Sequence, residues 1–274
     1  MKAVWYERFG PAAEVLVAGE MDAPMAGPGE VLVRLHASGV NPSDVKLRAG
    51  ARPGAVMAYP RVIPHSDGAG VIEAVGEGVD AARIGERVWV WNAGWQRAFG
   101  TAAEYVALPA EQAVRLPDGV SFAEGACFAI PAMTAWYAVM GDGPVAGQTV
   151  LVTGGAGTVG RYAVQMARAA GARVISTVSS AEKGAHSTAE EWVNYRETDV
   201  SDAVMEMTGG AGVDRMQFVC LLLAFNHLHQ AFFYSARPCR CWCSTSCRFC
   251  ICCRFFLRSL YLFFSLRWIN FCRL

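Results

Sequence analysis

Residues 63–78 read IPHSDGAGVIEAVGEG and place His65 and an acid directly before a Gly-Ala-Gly turn. An imidazole and a carboxylate close together can bind a metal ion, and glycines let a backbone approach a bound group closely. Two interpretations of this stretch are open. His65 is either a zinc ligand or an ordinary part of the scaffold.

A second stretch, VLVTGGAGTVG at residues 150–160, contains the pattern G-x-G-x-x-G. Because the pattern follows a predicted strand and opens a predicted helix, it predicts a loop that holds the pyrophosphate of a dinucleotide at the helix N-terminus. The alternative is a tight strand-to-helix turn without a ligand. The residues predicted to form the loop are Gly154, Gly155, Gly157, Thr158, Val159 and Gly160.

The end of the next predicted strand bears on which dinucleotide binds. NAD enzymes usually place Asp or Glu there for the ribose 2′-hydroxyl. Here the strand tip carries Ser179 and Ser180, followed by Lys183, and Glu182 lies at a helix-start position. Hydroxyls and an ammonium group suit a 2′-phosphate, so we expect NADPH rather than NADH. An ordinary serine N-cap is the alternative interpretation.

The elements that position these residues form two parts. Residues 1–118 consist of short apolar runs broken by Gly and Pro, which indicates a mostly β domain. Ser121 and Glu124 have the spacing of a capping box, so a helix should begin there, and Pro131 should kink or restart it. From residue 149 the order strand, glycine turn, helix, strand indicates a βαβ unit with a parallel sheet, and thus an α/β fold.

Charge is distributed very unevenly along the chain. Residues 1–214 contain all 24 acidic residues and 16 basic ones, whereas the 8 basic residues of 215–274 are all Arg. The first ten residues, MKAVWYERFG, carry Glu7 and Arg8 where a signal peptide needs an apolar run. We therefore expect a cytoplasmic protein. We also expect a small-molecule substrate and no nucleic-acid or membrane partner.

The order of motifs resembles the medium-chain dehydrogenase/reductase superfamily, in particular its zinc-free quinone oxidoreductase (zeta-crystallin-like) branch. The resemblance is collinear through about residue 214, and it implies a GroES-like β domain followed by a Rossmann domain, with the active site between them. The matching stretches are GVNPSDVKLRAG, DGAGVIEAVGEGV, GERVWV, AEYVALP, IPAMTAWYAV, VLVTGGAGTVGRYAVQMARAAGARVI, VNYRETDV and TGGAGVD.

The resemblance favours the scaffold interpretation of His65. In zinc alcohol dehydrogenases of this superfamily, a histidine and an upstream cysteine bind the catalytic metal. Here Ser66 falls at the histidine position and Asn41 at the cysteine position, and Cys127 is the only cysteine before Cys220. Because a zinc site needs three or four converging ligands, we expect no metal in residues 1–214.

Without a Lewis acid, the substrates should already be electrophilic, such as quinones or enones. The resemblance implies that Asn41 and Lys46 line the substrate cleft, with Asn41 donating to the oxygen that gains charge. It also places Thr134 near the nicotinamide and Tyr195 beside the 2′-phosphate, and it is compatible with a homodimer. The alternatives are turn chemistry for Asn41, a solvated charge for Lys46 and a β-core position for Tyr195.

Two departures from the family affect these expectations. The segment from Lys183 to Tyr195 is about three residues shorter than is usual in the family, and the glycine turn expected before the VNY strand is absent, so we expect a distorted adenine-side pocket. The larger departure is the tail, residues 215–274, which has no Gly, Lys, Asp or Glu and contains 9 of the 10 Cys. The sequence therefore divides into a substrate domain at 1–118, a partial Rossmann domain at 119–214 and this tail.

Three interpretations of the tail are open. The first is a metal-binding segment, although its spacing C-x-C-x-C-x₃-C-x₂-C-x-C-C is not that of a zinc finger. The second is a membrane anchor, although each arginine that interrupts the apolar runs costs about 2.5–3.5 kcal/mol near a bilayer centre. The third is non-native sequence from a frameshift or an unspliced read, which the composition favours.

The sequence thus predicts an NADPH-dependent, zinc-independent reductase of quinones or activated alkenes whose turnover the tail impairs. The alternative is a non-catalytic or defective product that at most binds a nucleotide.

Overall fold

The structure is a computed structural model, and it describes residues 1–51 and 53–218. A β-rich part comes first in the chain. Its helices are α1 (Ala12–Val15) and α2 (Pro42–Arg48). Its strands are β1 (Lys2–Trp5), β2 (Val17–Glu20), β3 (Glu30–Gly39), β4 (Asp67–Val75), β5 (Arg87–Val90), β6 (Tyr105–Pro109) and β7 (Ala113–Arg115).

Five of these strands form one antiparallel sheet in the order β6-β3-β4-β5-β7, and β1 pairs with β2. The strands alternate buried apolar residues with more exposed ones, as a sheet with one covered face requires. The apolar face forms a core that includes Val31, Val33, Ile72, Val88, Val106 and Leu108. This part agrees with the β domain that the sequence predicts.

The second part alternates strands and helices. Its strands form a parallel sheet in the order β10-β9-β8-β11, so the carboxyl ends of β8 and β9 meet at one edge. The helices are α3 (Phe122–Gly125), α4 (Ala129–Met140), α5 (Thr158–Ala169), α6 (Ala181–His186) and α7 (Val200–Met207). The strands are β8 (Thr149–Thr153), β9 (Arg173–Val178), β10 (Glu191–Asn194) and β11 (Arg215–Phe218).

The helix signals near residue 121 are confirmed. Ser121 is the N-cap of α3: its Oγ accepts from the Glu124 N–H at 3.2 Å, and Glu124 Oε2 accepts from the Ser121 N–H at 2.9 Å. The helix ends at Gly125 and a new one, α4, begins at Ala129. Pro131 therefore lies in the first turn of α4, where its missing N–H removes no helical hydrogen bond.

A fourth parallel strand follows the GVD stretch, as expected. Residues Arg215–Phe218 form β11 and pair with β8 in register from Val150 to Thr153. This strand lies within the segment assigned to the tail, and the boundary at residue 214 stays a prediction. The metal-binding, membrane-anchor and non-native interpretations apply to residues 215–274, of which 219–274 lie outside the described residues. Among the helices of residues 1–51 and 53–218, none has the length and apolar character to cross a membrane.

The two parts approach each other closely where β3 ends. A methyl group added to Gly39, the last residue of β3, would lie only 2.2 Å from the carbonyl oxygen of Ala126, just after α3. Real Cβ atoms do not approach an oxygen this closely, so a side chain at residue 39 would push the strand and the segment after α3 apart. Glycine at this position allows the contact between the two parts.

We predict that Gly39→Ala destabilises the protein by about 1–3 kcal/mol, because backbone atoms cannot move aside as a side chain can. Gly119→Ala is the matched control, since a methyl group there would meet no atom within 4 Å. Urea unfolding of both variants and the wild type measures the difference. Equal midpoints for the two variants would contradict the close approach of β3 to Ala126.

Candidate functional site

The loop between β8 and α5 has a shape that its glycines make possible. Gly154 has φ +67°, a left-handed conformation that glycine adopts without strain. A methyl group on Gly155 would lie 1.9 Å from Ser176 Oγ, and one on Gly160 would lie 2.1 Å from the Gly154 carbonyl oxygen. The strand β9 and the loop itself therefore occupy the space that side chains would need.

Thr177 of β9 holds the first part of this loop. Its Oγ1 accepts from the Gly154 N–H at 3.0 Å, and its carbonyl oxygen accepts from the Gly155 N–H at 3.2 Å. The Gly157 N–H donates to the Gly154 carbonyl oxygen at 2.9 Å. These three N–H groups serve to shape the loop and are not free to bind a ligand.

The free donors lie instead at the N-terminus of α5. Gly157 is the N-cap, and it offers no side chain to cap the helix. The N–H groups of Thr158, Val159 and Gly160 have no acceptor among the described residues. A helix N-terminus of this kind, with its positive dipole end, binds phosphate. The loop formed by Gly154, Gly155 and Gly157 is the glycine cradle. This cradle and the free N–H groups together fit the pyrophosphate of a dinucleotide.

The tip of β9 brings two predicted residues into direct contact. Lys183 Nζ donates to Ser179 Oγ at 3.0 Å, and both groups are accessible to solvent. Ser180 is the N-cap of α6, where its Oγ accepts from the Lys183 N–H at 3.3 Å. The serine N-cap that the sequence left open is thus present at Ser180, and it leaves the Ser179–Lys183 pair at the same edge of the sheet.

Tyr195 lies at this edge as well. It directly follows β10, its N–H donates to the Val178 carbonyl oxygen at 3.1 Å, and its side chain is 51% exposed. A β-core role, the alternative for this residue, is therefore excluded. In the shortened segment before β10, Thr188 adopts φ +62°, the left-handed conformation for which a glycine was expected. The strand β10 still pairs with β9 over all four of its residues.

The second predicted cluster lies around Asn41, the N-cap of α2. Its backbone N–H donates to Asp44 Oδ2 at 2.7 Å, and its Nδ2 donates to Asp67 Oδ2 at 2.9 Å. The same oxygen of Asp67 accepts from the Ile130 N–H in the first turn of α4, also at 2.9 Å. Asn41, Asp44 and Asp67 are all buried. Asn41 thus begins a helix and also belongs to a buried polar cluster.

Both carboxyl groups of this cluster have raised pKa values. Burial raises the pKa of Asp67 to about 6, against the hydrogen bonds from Ile130 and Asn41, which lower it; the nearby Asp44 raises it further. Burial likewise raises the pKa of Asp44 to about 6. The charge of Asp44 thus acts on the ionisation of Asp67, and both carboxyl groups have pKa values nearer to neutral pH than an ordinary carboxyl group.

His65 is held by a chain of hydroxyl groups. Thr101 Oγ1 donates to the Asp67 carbonyl oxygen at 2.6 Å, so it must accept from Ser38 Oγ at 2.9 Å. Ser38 has then used its only proton and accepts from His65 Nδ1, which lies 2.9 Å away. Burial lowers the pKa of His65, which favours a neutral ring with the proton on Nδ1. The Nδ1 atom of His65 is thus engaged in a hydrogen bond to Ser38 of the β domain.

Comparison with known families identifies both parts of the chain. Residues 27–118 match the alcohol dehydrogenase GroES-like domain, and residues 158–221 match the zinc-binding dehydrogenase family. Human quinone oxidoreductase is 35% identical over 226 residues, which cover 78% of this chain and 64% of the human protein. The chain belongs to the medium-chain dehydrogenase/reductase superfamily.

Solved structures of medium-chain dehydrogenases/reductases resemble this chain closely. A mycobacterial protein solved as a complex with NADPH is 34% identical with a TM-score of 0.66, and the match covers 79% of this chain and 66% of that one. An NAD-dependent alcohol dehydrogenase is 33% identical with a TM-score of 0.72, covering 79% and 70%. The chain spans about two thirds of the length of these relatives.

Two further residues were predicted from the resemblance to other medium-chain dehydrogenases/reductases. Lys46 lies in α2, one turn after Asn41, and is half-buried. Thr134 is exposed on α4 and its hydroxyl donates to the Ile130 carbonyl oxygen at 2.6 Å. Thr134 is therefore linked through Ile130 to Asp67. Within residues 1–51 and 53–218 there is no group of three His, Cys, Asp or Glu that could hold a metal ion.

Three residues that position the site in this medium-chain dehydrogenase/reductase were missed by the sequence analysis: Asp67, Ser176 and Thr177. Asp67 gave a usable signal, since an acid that opens a buried apolar strand must find hydrogen-bond donors elsewhere in the fold. Ser176 and Thr177 gave none, because hydroxyl residues near a strand end are common, and their contact with the glycine loop depends on strand pairing.

We predict that Gly155→Ala lowers the melting temperature by roughly 4–8 °C, because the new methyl group meets Ser176 Oγ. Ser176→Gly in the same chain should restore most of the loss. Ser176→Ala is the matched control and should restore less, because the Ser176 Cβ would itself lie 2.9 Å from the new methyl group. Thermal unfolding followed by circular dichroism measures all four proteins. Equal rescue by both second substitutions would argue against this contact as the cause.

Proposed function

We propose that this protein binds NADPH and reduces quinones or activated alkenes without a metal ion. The observation that carries the proposal is the glycine cradle at the carboxyl end of β8, with the free N–H groups of α5 beside it. This cradle lies on the same sheet edge as the Ser179–Lys183 pair. One dinucleotide can therefore contact both groups at once.

The preference for NADPH over NADH rests on residues at the end of β9. Lys183, Ser179 and Tyr195 offer an ammonium group and two hydroxyls where a 2′-phosphate would lie, and the strand tip carries no acid. Relatives of this chain include both a protein solved with NADPH and an NAD-dependent enzyme. Family membership thus leaves the cofactor open, and these local groups support NADPH.

The proposed chemistry uses polar groups on the substrate side. A bound NADPH supplies a hydride, and the acceptor takes up this hydride and a proton. Asn41 has one amide N–H engaged by Asp67 and a second that can donate to an acceptor oxygen as it gains charge. Lys46 adds positive charge to the same helix. Zinc is not part of the proposal, because its usual ligands are replaced by weaker ones. The amide of Asn41 stands at the cysteine position and the hydroxyl of Ser66 at the histidine position.

A second candidate function is a nucleotide-binding protein whose hydride transfer is impaired. The family match ends at residue 221, and residues 222–274 contain no Gly, Lys, Asp or Glu. Such a composition does not supply the glycine turns of a strand–helix repeat. Hydride transfer needs the two carbon atoms about 3–3.5 Å apart, and a misplacement of about 1 Å can cost roughly 10²-fold in rate.

We predict that Lys183→Ala weakens NADPH binding by about tenfold or more and leaves NADH binding unchanged, because only NADPH carries the 2′-phosphate that Lys183 is proposed to bind. Lys2→Ala is the matched control, as this lysine lies on β1 in the other part of the fold. Isothermal titration of both nucleotides against the three proteins measures the effect. An equal loss for NADPH and NADH would refute the assignment of the 2′-phosphate site.

The activity is tested by following NADPH oxidation with a simple quinone and with an enone. We expect the 274-residue chain to turn over at least about 10²-fold more slowly than a chimera in which residues 222–274 are replaced by the corresponding part of human quinone oxidoreductase. The swap point keeps β11 intact. Activity of the chimera should survive a chelator.

The outcomes separate the two candidate functions. Rapid turnover by the unmodified chain would show that its own tail completes the site. Absence of turnover in both proteins, with NADPH still bound, would reject the reductase and favour the nucleotide-binding product.

A further inference from the structure

Asp67 is the point at which three elements of the fold meet. It is the first residue of β4, and its side chain is 0% exposed. One of its oxygens, Oδ2, accepts from Asn41 at the start of α2 and from Ile130 at the start of α4, each at 2.9 Å. A single atom therefore fixes where two helix N-termini lie relative to each other.

Burial of a carboxylate at this position is energetically unfavourable. Its other oxygen, Oδ1, is buried and has no hydrogen-bond partner among the described residues. Capping α4 alone would need only a serine or threonine hydroxyl, without burial of a negative charge. What a carboxylate oxygen adds is strength: an ionised oxygen that accepts from two N–H donors, one of them a side chain of the candidate site, makes stronger hydrogen bonds to both than a neutral oxygen would.

The two donors lead to groups on both sides of the candidate cleft. On the α2 side, Asn41 is held twice, because its backbone N–H donates to Asp44 and its side-chain amide donates to Asp67. The amide cannot rotate without losing the second bond. On the α4 side, Ile130 donates to Asp67 and accepts from the hydroxyl of Thr134. Asp67 thus connects Asn41 to Thr134 through a continuous set of hydrogen bonds.

We propose that Asp67 is a positioning residue of the reductase, which orients the Asn41 amide towards the acceptor and fixes the first turn of α4 that carries Thr134. The inference rests on the proposed function, since it assigns Asp67 a role through Asn41. It adds a residue for which neither the glycine pattern nor the zinc-ligand comparison suggested a role.

The surroundings of Asp67 make its ionisation observable. Asp44 on α2 is the charged group that acts on it, whereas its neighbours from β3 and α4 are the uncharged Gly39 and Ile130. When Asp67 is protonated on Oδ1, its Oδ2 still accepts both hydrogen bonds, but ionisation strengthens them. The amide protons of Asn41 should therefore report the charge of Asp67.

The test is the side-chain amide signal of Asn41 in the ¹⁵N-labelled full chain, identified by its loss in Asn41→Ala. We expect this signal to titrate with a midpoint near the Asp67 pKa of about 6. In Asp67→Asn the part of the titration that Asp67 causes should disappear and leave at most the response to Asp44, and the amide protons should exchange with water about tenfold faster or more. Asp118→Asn, which replaces an exposed acid, is the matched control and should leave the signal as in the wild type.

Stability provides a second readout with a defined sign. Because the folded-state pKa of Asp67 lies above its ordinary value of 3.8, the folded protein binds this proton more tightly than the unfolded chain does. The contribution of Asp67 to stability is full below pH 3.8 and is lost as the pH rises towards about 6. The difference in stability between the wild type and Asp67→Asn should therefore change over this interval and remain constant above it.

Several results would overturn the proposal. An Asn41 side-chain amide that exchanges with water in the wild type as fast as an exposed amide would do so even if Asp67→Asn fails to fold. So would an Asn41 signal in Asp67→Asn that keeps its wild-type exchange rate while the melting temperature falls, since Asp67 would then act on stability alone.

Turnover separates this proposal from the proposed function. In whichever of the chain and its chimera is active, Asp67→Asn should lower kcat about tenfold with little change in KM, and Asp118→Asn should not. A wild-type kcat in Asp67→Asn would reject the positioning role and leave the reductase intact. Inactivity of both parent proteins would reject the reductase, and the amide signal would then show a hydrogen-bonded junction without a role in turnover.

Discussion

The arrangement of α2 and α4 at the candidate site depends on the hydrogen bonds that the buried carboxylate of Asp67 accepts. Removing a carboxyl group from water is costly unless hydrogen bonds replace the lost solvation, and here the replacements come from different elements of the fold. One donor comes from α2 and the other from α4. The helix that follows the β domain is therefore positioned by an acid that belongs to that domain.

Strand β9 has the corresponding role on the nucleotide side. Ser176 fills the space beside Gly155, Thr177 holds the N–H groups of the loop, and Ser179 at the end of the strand contacts Lys183. Three residues within the stretch 176–179 thus connect the pyrophosphate loop to the proposed 2′-phosphate site. Because the strand is buried between β8 and β10, the distance between these two sites is rigid.

The sequence predicted the features whose causes are local. The capping box at Ser121 and the glycine pattern each depend on residues within one turn or one βαβ unit, and both are present in the structure. The Asp67 junction could not be predicted in this way, because Ile130 lies 63 residues further along the chain. Thr188 shows a related limit: a left-handed turn was expected to need glycine, and here a threonine adopts it where the surrounding contacts fix the backbone.

Residues 63–78, which lead into β4, contain a histidine and an acid in a pattern that resembles a metal site. In this structure both residues form hydrogen bonds within the protein. Asn41 and Ser66 take the positions that the resemblance assigns to metal ligands in zinc alcohol dehydrogenases. Here Asn41 donates to Asp67, and the Nδ1 atom of the neighbouring His65 donates to Ser38. The Asn41 amide nitrogen and the Nδ1 atom of His65 each donate a hydrogen bond to another part of the protein. Hydrogen bonds thus connect these residues, and Asp67, the acid that follows His65 and Ser66, is their common anchor: its backbone carbonyl receives the hydroxyl chain and its carboxylate receives the amide.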